Sequence, residues 1–226
     1  MKKYFYPLNY IRYIRNRINK FKQARQETKI NSLKFVESNI KNIEDVESLI
    51  NFHFKTYSDI NHINKEMFRI MLNNFSGKSI NILETGSAAH GTKSSTLFIY
   101  YVKIFGGNFN TVDLNPNIKL LYRHLESSNI MFHSNDSLEY LSGMSDLEIS
   151  NLDLVYLDSY DLDINNPEPS QEHGLKEFNI LNEKLKKGAV LAIDDTPSTY
   201  EKFGIKENNQ FNFVPGKGRL ILDYLK

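Results

Sequence analysis

The pattern of apolar and polar positions divides the chain into two parts near residue 78. Before that point, apolar side chains recur every three or four positions, which predicts helices. In residues 1–29 this repeat combines aromatic with basic side chains, which predicts a helical arm. The segments 31–64 and 65–75 continue the helical pattern, and Ser76-Gly77-Lys78 ends it with a turn. We therefore expect the N-terminal part to consist of helices.

After residue 78, short apolar runs alternate with helical patterns. The predicted strands are 80–84, 109–113, 130–132, 152–157 and 189–193. Strands that are almost continuously apolar and alternate with helices are typical of a parallel sheet covered on both faces. Segments 210–214 and 219–224 flank Pro215-Gly216-Lys217-Gly218, which predicts a C-terminal antiparallel hairpin.

These elements predict an α/β fold: a Rossmann-like, doubly wound, mostly parallel sheet with a C-terminal antiparallel hairpin, preceded by N-terminal helices. We place the boundary between a basic helical arm and cap, residues 1–64, and the sheet domain, residues 65–226.

Composition excludes several classes of protein. Of the 226 residues, 40% are hydrophobic and 24% are charged, which is a globular balance and argues against a disordered chain. No apolar run is long enough for a membrane span, and the N-terminus lacks the pattern of a secretory signal. The absence of cysteine excludes disulfides, thiolate metal sites and a cysteine nucleophile. We expect a cytoplasmic protein.

Charge is distributed unevenly along the chain. Residues 1–29 hold nine of the 28 Lys and Arg residues and one of the 27 acidic residues, so the remainder carries seven excess negative charges. A basic arm can contact a partner subunit, a nucleic acid or an anionic membrane surface. We interpret it as an element that packs on the body or joins a homo-oligomer, because the acidic body disfavours nucleic acid.

A carboxylate follows or ends each predicted strand. These residues are Glu84, Asp113, Asp136, Asp158, Asp194 and Asp195. Ligands of doubly wound sheets bind beyond the carboxyl ends of the strands, so we predict the functional site there.

The turn after the first strand, 84–95, is rich in glycine and serine. Gly86 and Gly91 let the backbone approach a ligand closely, although a plain tight turn is the alternative. The spacing differs from the G-x-G-x-x-G of a dinucleotide site, and Glu84 suits a cationic amine better than a phosphate.

The next two strand ends carry groups that suit a nucleoside. Asp113 can accept both hydroxyls of a ribose. Asp136 and Ser137 can contact an adenine ring, while the alternative for Asp136 is an N-cap of the following helix.

Together these segments resemble the class I S-adenosylmethionine-dependent methyltransferases over about residues 65–226. The matching segments are ILETG, TVD, NDS, LVYLD and GAVLAIDD, in the family's order. The resemblance implies S-adenosylmethionine as the methyl donor, with Asp113 at the ribose and Asp136 at the adenine. The donor-binding residues that it implies are Glu84, Gly86, Ser87, Gly91, Asp113, Asp136, Ser137 and Asp158. The chain departs from the family at Ala88-Ala89-His90, where many members have further glycine.

Asp158, Asp194 and Asp195 also predict a metal site. Clustered carboxylates repel one another unless a cation joins them, and oxygen ligands suit Mg²⁺, Ca²⁺ or Mn²⁺. The pattern resembles that of metal-dependent O-methyltransferases of the catechol and macrolide-sugar types. This resemblance implies a divalent cation, with Mg²⁺ as the first candidate, that binds acceptor hydroxyls beside the donor. The alternative is that Asp194-Asp195 caps a turn and Asp158 pairs with a lysine.

Asp161 and His173 are the candidates for the catalytic base, and proximity to Asp158 favours Asp161. The acceptor expected is a small hydroxylated molecule such as a sugar, a glycoside or a diol. Two rival functions are an RNA-binding or RNA-modifying protein that uses the basic arm, and a nicotinamide-dependent oxidoreductase. The latter is disfavoured by the missing G-x-G-x-x-G and the lack of a Tyr-x-x-x-Lys pair.

Overall fold

The centre of the fold is a parallel sheet of five strands. The computed structural model describes residues 40–87, 91–122, 125–196, 204–207, 210–213 and 216–226. The strands are β1 (Ile80–Thr85), β2 (Gly107–Asp113), β3 (Ile130–Ser134), β4 (Leu154–Leu157) and β5 (Val190–Ile193). They lie in the order β3-β2-β1-β4-β5, and every neighbouring pair is parallel. The predicted Rossmann-like α/β sheet is confirmed.

Helices connect the strands and precede them. In the described residues they are α1 (Val46–Thr56), α2 (Lys65–Asn73), α3 (Ser94–Phe105), α4 (Ile118–Tyr122), α5 (Ser137–Gly143), α6 (Asp146–Ser150), α7 (Glu168–Leu181) and α8 (Arg219–Tyr224). Local sequence fixes several starts: Asp45 caps α1 by accepting from the Ser48 amide, and Ser145 with Glu148 forms a capping box at α6. None of the described helices is long and apolar enough to cross a membrane.

Both faces of the sheet are buried, as the continuous apolar strands require. On one face the ring of Phe98 packs against the rings of Phe109 and Tyr156, and both centroid distances are 5.7 Å. The ring centroid of Phe68 on α2 lies 5.3 Å from that of Tyr156. The opposite face contains an aliphatic cluster: Leu83, Leu141, Ile149, Leu152, Val155, Leu157 and Leu181.

The predicted C-terminal hairpin is wrong. Arg219–Tyr224 forms helix α8, supported by an ion pair of 2.9 Å between Arg219 and Asp223 one turn apart. A short apolar run such as Leu220-Ile221-Leu222 is compatible with a helix and with a strand. Its pattern therefore does not predict which of the two conformations the segment adopts. The antiparallel ribbon lies one segment earlier, where β6 (Gly204–Glu207) pairs with β7 (Gln210–Phe213), outside the five-stranded sheet.

The chain divides into two compact units, Met1–Ile43 and Glu44–Lys226. The second unit thus includes α1, which lies upstream of the boundary that we predicted at residue 65. The predicted arm, residues 1–29, falls outside the described residues. The boundary between a helical arm and cap, residues 1–64, and the sheet domain, residues 65–226, stays a prediction.

Candidate functional site

Gly86 brings the ends of three strands together. Its φ is +79°, and a Cβ at this position would lie 2.1 Å from the carbonyl oxygen of Asp158. The amide of Gly86 donates to the Val112 carbonyl over 2.8 Å, and the amide of Asp158 donates to the Thr85 carbonyl over 2.8 Å. The turn after β1 is therefore packed directly on the segment after β4, and glycine is required there for both space and conformation.

Glu84 is completely buried and organises the start of α3. Its carboxylate accepts hydrogen bonds from the hydroxyls of Ser94, Ser95 and Thr111 over 2.5, 2.6 and 2.8 Å. Burial raises the pKa of this carboxyl to about 7, although the three hydroxyls act to lower it. Glu84 does not belong to the lining of the cavity described below, so its contact with a donor stays a prediction.

Asp113 is held at the end of β2 by two backbone amides. Its Oδ2 accepts from the amide of Ser87 over 2.9 Å and its Oδ1 from the amide of Asn115 over 2.7 Å. The hydroxyl of Ser87 lies 2.9 Å from that of Thr111, which joins this turn to the partners of Glu84. The side chain is half-buried and fixed in position, as a ligand-binding carboxylate needs to be.

Asp136 caps helix α5, as the structural alternative for this residue predicted. Its Oδ1 accepts from the amides of Leu138 and Glu139 over 2.9 and 3.1 Å. The next residue, Ser137, places its hydroxyl 2.9 Å from Nε2 of His173 on α7. Both residues nevertheless face the cavity, so a cap and a ligand contact are compatible.

A cavity of about 120 Å³ lies at the carboxyl edge of strands β1 to β4. Its lining includes Gly86, Asp113, Asp136, Ser137, Tyr160 and His173. Strand order reverses between β1 and β4, and this is the switch point at which such sheets bind ligands. Because pockets for whole small-molecule ligands span roughly 300–1,000 Å³, this cavity has room for only part of such a ligand.

Four of the predicted donor residues are not part of this lining: Glu84, Ser87, Gly91 and Asp158. Ser87 contributes its amide to Asp113, as described above, and Gly91 accepts a hydrogen bond from the Ser58 hydroxyl over 3.0 Å. Residues 88–90, which connect them and include the departure from the family pattern, fall outside the described residues.

The two candidate bases occupy different places. His173 lies at the cavity, and its Nε2 is 3.6 Å from Oε1 of Glu177, which is buried and accepts from the Ser159 hydroxyl over 2.7 Å. Asp161 is exposed and close enough to Asp195 to raise the pKa of that carboxyl, after burial and Asp194. Asp161 thus belongs to the neighbourhood of the acidic cluster.

The structure brings the three predicted metal ligands together. One carboxylate oxygen from each of Asp158, Asp194 and Asp195 lies within 4.8 Å of the others. Asp194 is 8% exposed and accepts from the side-chain amide of Asn64 over 2.7 Å. We call these three residues the acidic cluster.

Lys217, which the sequence did not mark, enters the acidic cluster. The side chain is 4% exposed, and its Nζ lies 2.7 Å from Oδ1 of Asp158 and 3.3 Å from Oδ2 of Asp195. The alternative that Asp158 pairs with a lysine is therefore what the structure contains. Pro215-Gly216-Lys217-Gly218 resembled an exposed hairpin turn, and no periodic signal connected it with β4.

Burial and charge compete within this cluster. Burial and the neighbouring Asp194 raise the pKa of Asp158, while the ammonium of Lys217 lowers it. Burial lowers the pKa of Lys217, but Asp158 and Asp195 outweigh that effect and raise it above its usual value. With its ammonium between two of the three carboxylates, the arrangement does not fit a divalent cation unless Lys217 moves away.

A second, larger groove borders the acidic cluster. It has a volume of about 560 Å³ and lies beside β5, between α2 and α8; its lining includes Asn64, Met67, Met71, Ile193, Asp194 and Asp195. Thioether and aliphatic side chains thus lead to carboxylates at one end. A third cavity of about 650 Å³, lined by Asn81, Asn110 and His133 among others, contains none of the predicted site residues.

Comparisons with known proteins find similar solved structures, but they do not assign the chain to a family. No known protein family and no curated protein matches this sequence. An S-adenosylmethionine-dependent methyltransferase from Thiobacillus denitrificans, solved with S-adenosyl-L-homocysteine, is 14% identical with a TM-score of 0.39 over 70% of this chain and 61% of its own. YjhP from E. coli is 16% identical with a TM-score of 0.42 over 78% of this chain and 70% of its own.

A solved structure of another class is similar to the same degree. A UDP-glucose 4-epimerase from Stenotrophomonas maltophila with bound NAD is 17% identical, with a TM-score of 0.37 over 65% of this chain and 47% of its own. Likenesses of this size do not distinguish a methyltransferase from a nicotinamide enzyme. The chain spans about half to six-tenths of the epimerase and of the methyltransferase.

Proposed function

We propose that this chain is an S-adenosylmethionine-dependent methyltransferase that methylates an oxygen of a small hydroxylated acceptor, such as a sugar, a glycoside or a diol. The observation that carries the proposal is the cavity at the switch point, where Gly86, Asp113, Asp136 and Ser137 converge. These residues come from the ends of different strands, and the resemblance of the sequence had assigned them to one ligand.

The residues at the cavity fit a nucleoside. Asp113, anchored by two amides, is suited to accept hydrogen bonds from the ribose hydroxyls. Asp136 and Ser137 are suited to the adenine ring, and His173 holds the Ser137 hydroxyl in place. When bound, S-adenosylmethionine supplies an electrophilic methyl group; the protein orients it and keeps water away.

The acceptor is proposed to lie in the groove beside β5, with its hydroxyl group at the carboxylate end. Asp161, which is exposed beside Asp195, would accept the hydroxyl proton while the oxygen takes the methyl group. The bond from sulfur to the methyl carbon breaks, and S-adenosylhomocysteine leaves as a neutral thioether. The divalent cation that the sequence predicted is not needed for this balance of charge and atoms.

Calorimetry with S-adenosylhomocysteine and with NAD tests the class of ligand. We expect the former to bind and Asp113→Asn to weaken it about 10- to 100-fold, because charge-assisted hydrogen bonds contribute about 1.5–3 kcal/mol. Asp223→Asn, on the exposed side of α8, is the matched control and should leave the affinity unchanged. Binding of NAD alone would instead indicate an oxidoreductase.

Turnover separates the roles of the two candidate bases. Once an acceptor is found, Asp161→Asn should lower kcat without changing the affinity for S-adenosylhomocysteine. His173→Gln should weaken that affinity, because it removes the partner of the Ser137 hydroxyl. If His173→Gln lowers kcat alone and Asp161→Asn weakens the affinity, then His173 is the base and Asp161 supports donor binding.

A further inference from the structure

Lys217 is fixed in the acidic cluster by its backbone as well as by its ammonium group. Its amide donates to the carbonyl of Asp195 over 3.1 Å, and the amide of Gly218 donates to the hydroxyl of Thr196 over 3.0 Å. That hydroxyl in turn donates to the carbonyl of Asp194 over 3.0 Å. The turn that carries Lys217 is thus attached to the end of β5 itself.

The backbone of this turn packs closely against its neighbours. A Cβ at Gly218 would lie 2.8 Å from Oγ1 of Thr196, and a Cβ at Gly174 of α7 would lie 3.5 Å from the carbonyl oxygen of Lys217. Lys217 is therefore packed between the end of β5 and helix α7. Its position follows from packing and hydrogen bonds and does not depend on attraction by the carboxylates alone.

The ammonium group occupies the place that a cation would need. Any ion that joined all three carboxylates would lie among oxygens that are within 4.8 Å of one another. Nζ of Lys217 already lies 2.7 Å from Oδ1 of Asp158 and 3.3 Å from Oδ2 of Asp195. Two positive charges in this space would repel each other strongly in a buried site.

We propose that Lys217 is the resident cation of this site and takes the place of a divalent metal. It is a positioning residue, because it sets the geometry of Asp158 and Asp195 at the edge shared by the donor cavity and the groove beside β5. An ammonium group donates up to three hydrogen bonds and supplies a single positive charge, whereas a divalent ion supplies two charges and open coordination positions.

A consequence for catalysis rests on the proposed function. If the chain transfers methyl groups, its turnover should be the same with EDTA as with added Mg²⁺ or Mn²⁺. The donor calorimetry described above tests the methyltransferase by itself, and the metal titrations below require no turnover. The two proposals can therefore fail separately.

The decisive measurement is Mn²⁺ binding, followed by electron paramagnetic resonance. We expect no specific binding by the native protein. Lys217→Met keeps the length of the apolar stem and removes the charge, so it should bind Mn²⁺ at least about tenfold more tightly than the native protein does. Adding Asp195→Asn to Lys217→Met should lower the Mn²⁺ affinity again, because it removes one anionic ligand.

Lys186→Met is the matched control. Lys186 forms an ion pair of 2.6 Å with Asp153, half-exposed and away from the acidic cluster. Its removal should not create Mn²⁺ binding. Native protein that binds Mn²⁺ as tightly as Lys217→Met would overturn the proposal, and so would a folded Lys217→Met variant that binds none.

Thermal unfolding keeps the proposal testable if the variant is unstable. Removing one partner of a buried charge cluster is destabilising, and a ligand that binds only the folded state restores stability by mass action. Mn²⁺ should therefore raise the melting temperature of Lys217→Met and leave that of the native protein unchanged. A variant that Mn²⁺ does not stabilise contradicts the assignment.

Discussion

At the scale of single residues, buried ionisable side chains determine the chemistry of the carboxyl edge. Glu84 keeps its carboxylate away from solvent among three hydroxyls, whereas the ammonium of Lys217 lies between the carboxylates of Asp158 and Asp195. Both arrangements give a buried ionisable group polar partners, as burial requires. They differ in that the acidic cluster has an opposite charge beside it, whereas the carboxylate of Glu84 meets hydroxyl groups.

Glu84 should make stability fall as pH rises. Its pKa, about 7 in the folded protein because of burial, exceeds the ordinary value of 4.5. Between these values the folded state binds more protons than the unfolded state, so the free energy of unfolding decreases with rising pH. The contribution has an upper limit of about 3 kcal/mol at 1.36 kcal/mol per pKa unit.

Urea unfolding of the native protein and of Glu84→Gln at about pH 5 and about pH 8, which span most of the interval between the two pKa values, measures this contribution. The fall in unfolding free energy between the two pH values should be smaller in the variant. Glu183→Gln, exposed after α7, is the control and should behave like the native protein. An identical fall in native protein and Glu84→Gln would contradict the assigned pKa.

At the scale of elements, contacts between turns decide how the strands meet. The turn after β1 touches the backbone after β4, and the turn before α8 is bonded to the end of β5. The edge of the sheet is therefore built from segments that are far apart in sequence, and a small change in one turn should affect the whole edge.

Gly86→Ala tests this element contact. The new Cβ would lie 2.1 Å from the carbonyl oxygen of Asp158, at a φ of +79° that alanine disfavours. We expect a loss of at least about 2 kcal/mol in the free energy of unfolding and a loss of S-adenosylhomocysteine binding. Gly143→Ala, at the end of α5, meets nothing within 4 Å and should be neutral or stabilising. Equal stabilities of the two variants would refute the role of Gly86.

At the scale of the whole molecule, charge separates the chain into a basic start and an acidic remainder. The residues proposed for the donor, the acceptor and Lys217 all belong to the compact unit Glu44–Lys226. For the basic segment 1–29 we propose a separate role, which is contact with a second subunit.

Deletion of residues 1–29 should leave the affinity for S-adenosylhomocysteine unchanged and alter the oligomeric state or the turnover of acceptor. Calorimetry measures the affinity for S-adenosylhomocysteine, and light scattering measures the oligomeric state. Replacement of Arg12, Arg15 and Arg17 by Gln in the full chain is the control that removes charge alone. An insoluble truncated chain would show that the segment belongs to the folded body.

Local periodicity was sufficient for most of the fold. The five predicted strands and most of the helices between them follow from apolar runs, caps and turns, because these signals lie within a few residues of one another. Helix α6 was not predicted. The segment 219–224 shows the limit: its short apolar run fits two conformations, and only packing against neighbouring elements selected the helix.

The sequence by itself determined the parallel sheet and the presence of carboxylates at the ends of its strands. Only the tertiary structure decided which groups these carboxylates contact. Asp136 caps a helix while it faces the cavity, Glu84 points into a set of hydroxyls, and Asp158 meets Lys217 from a turn 59 residues away in the chain. Periodicity reports which side of an element is buried, whereas the partner of a buried charge depends on the packing of distant segments, and no spacing within one element encodes that.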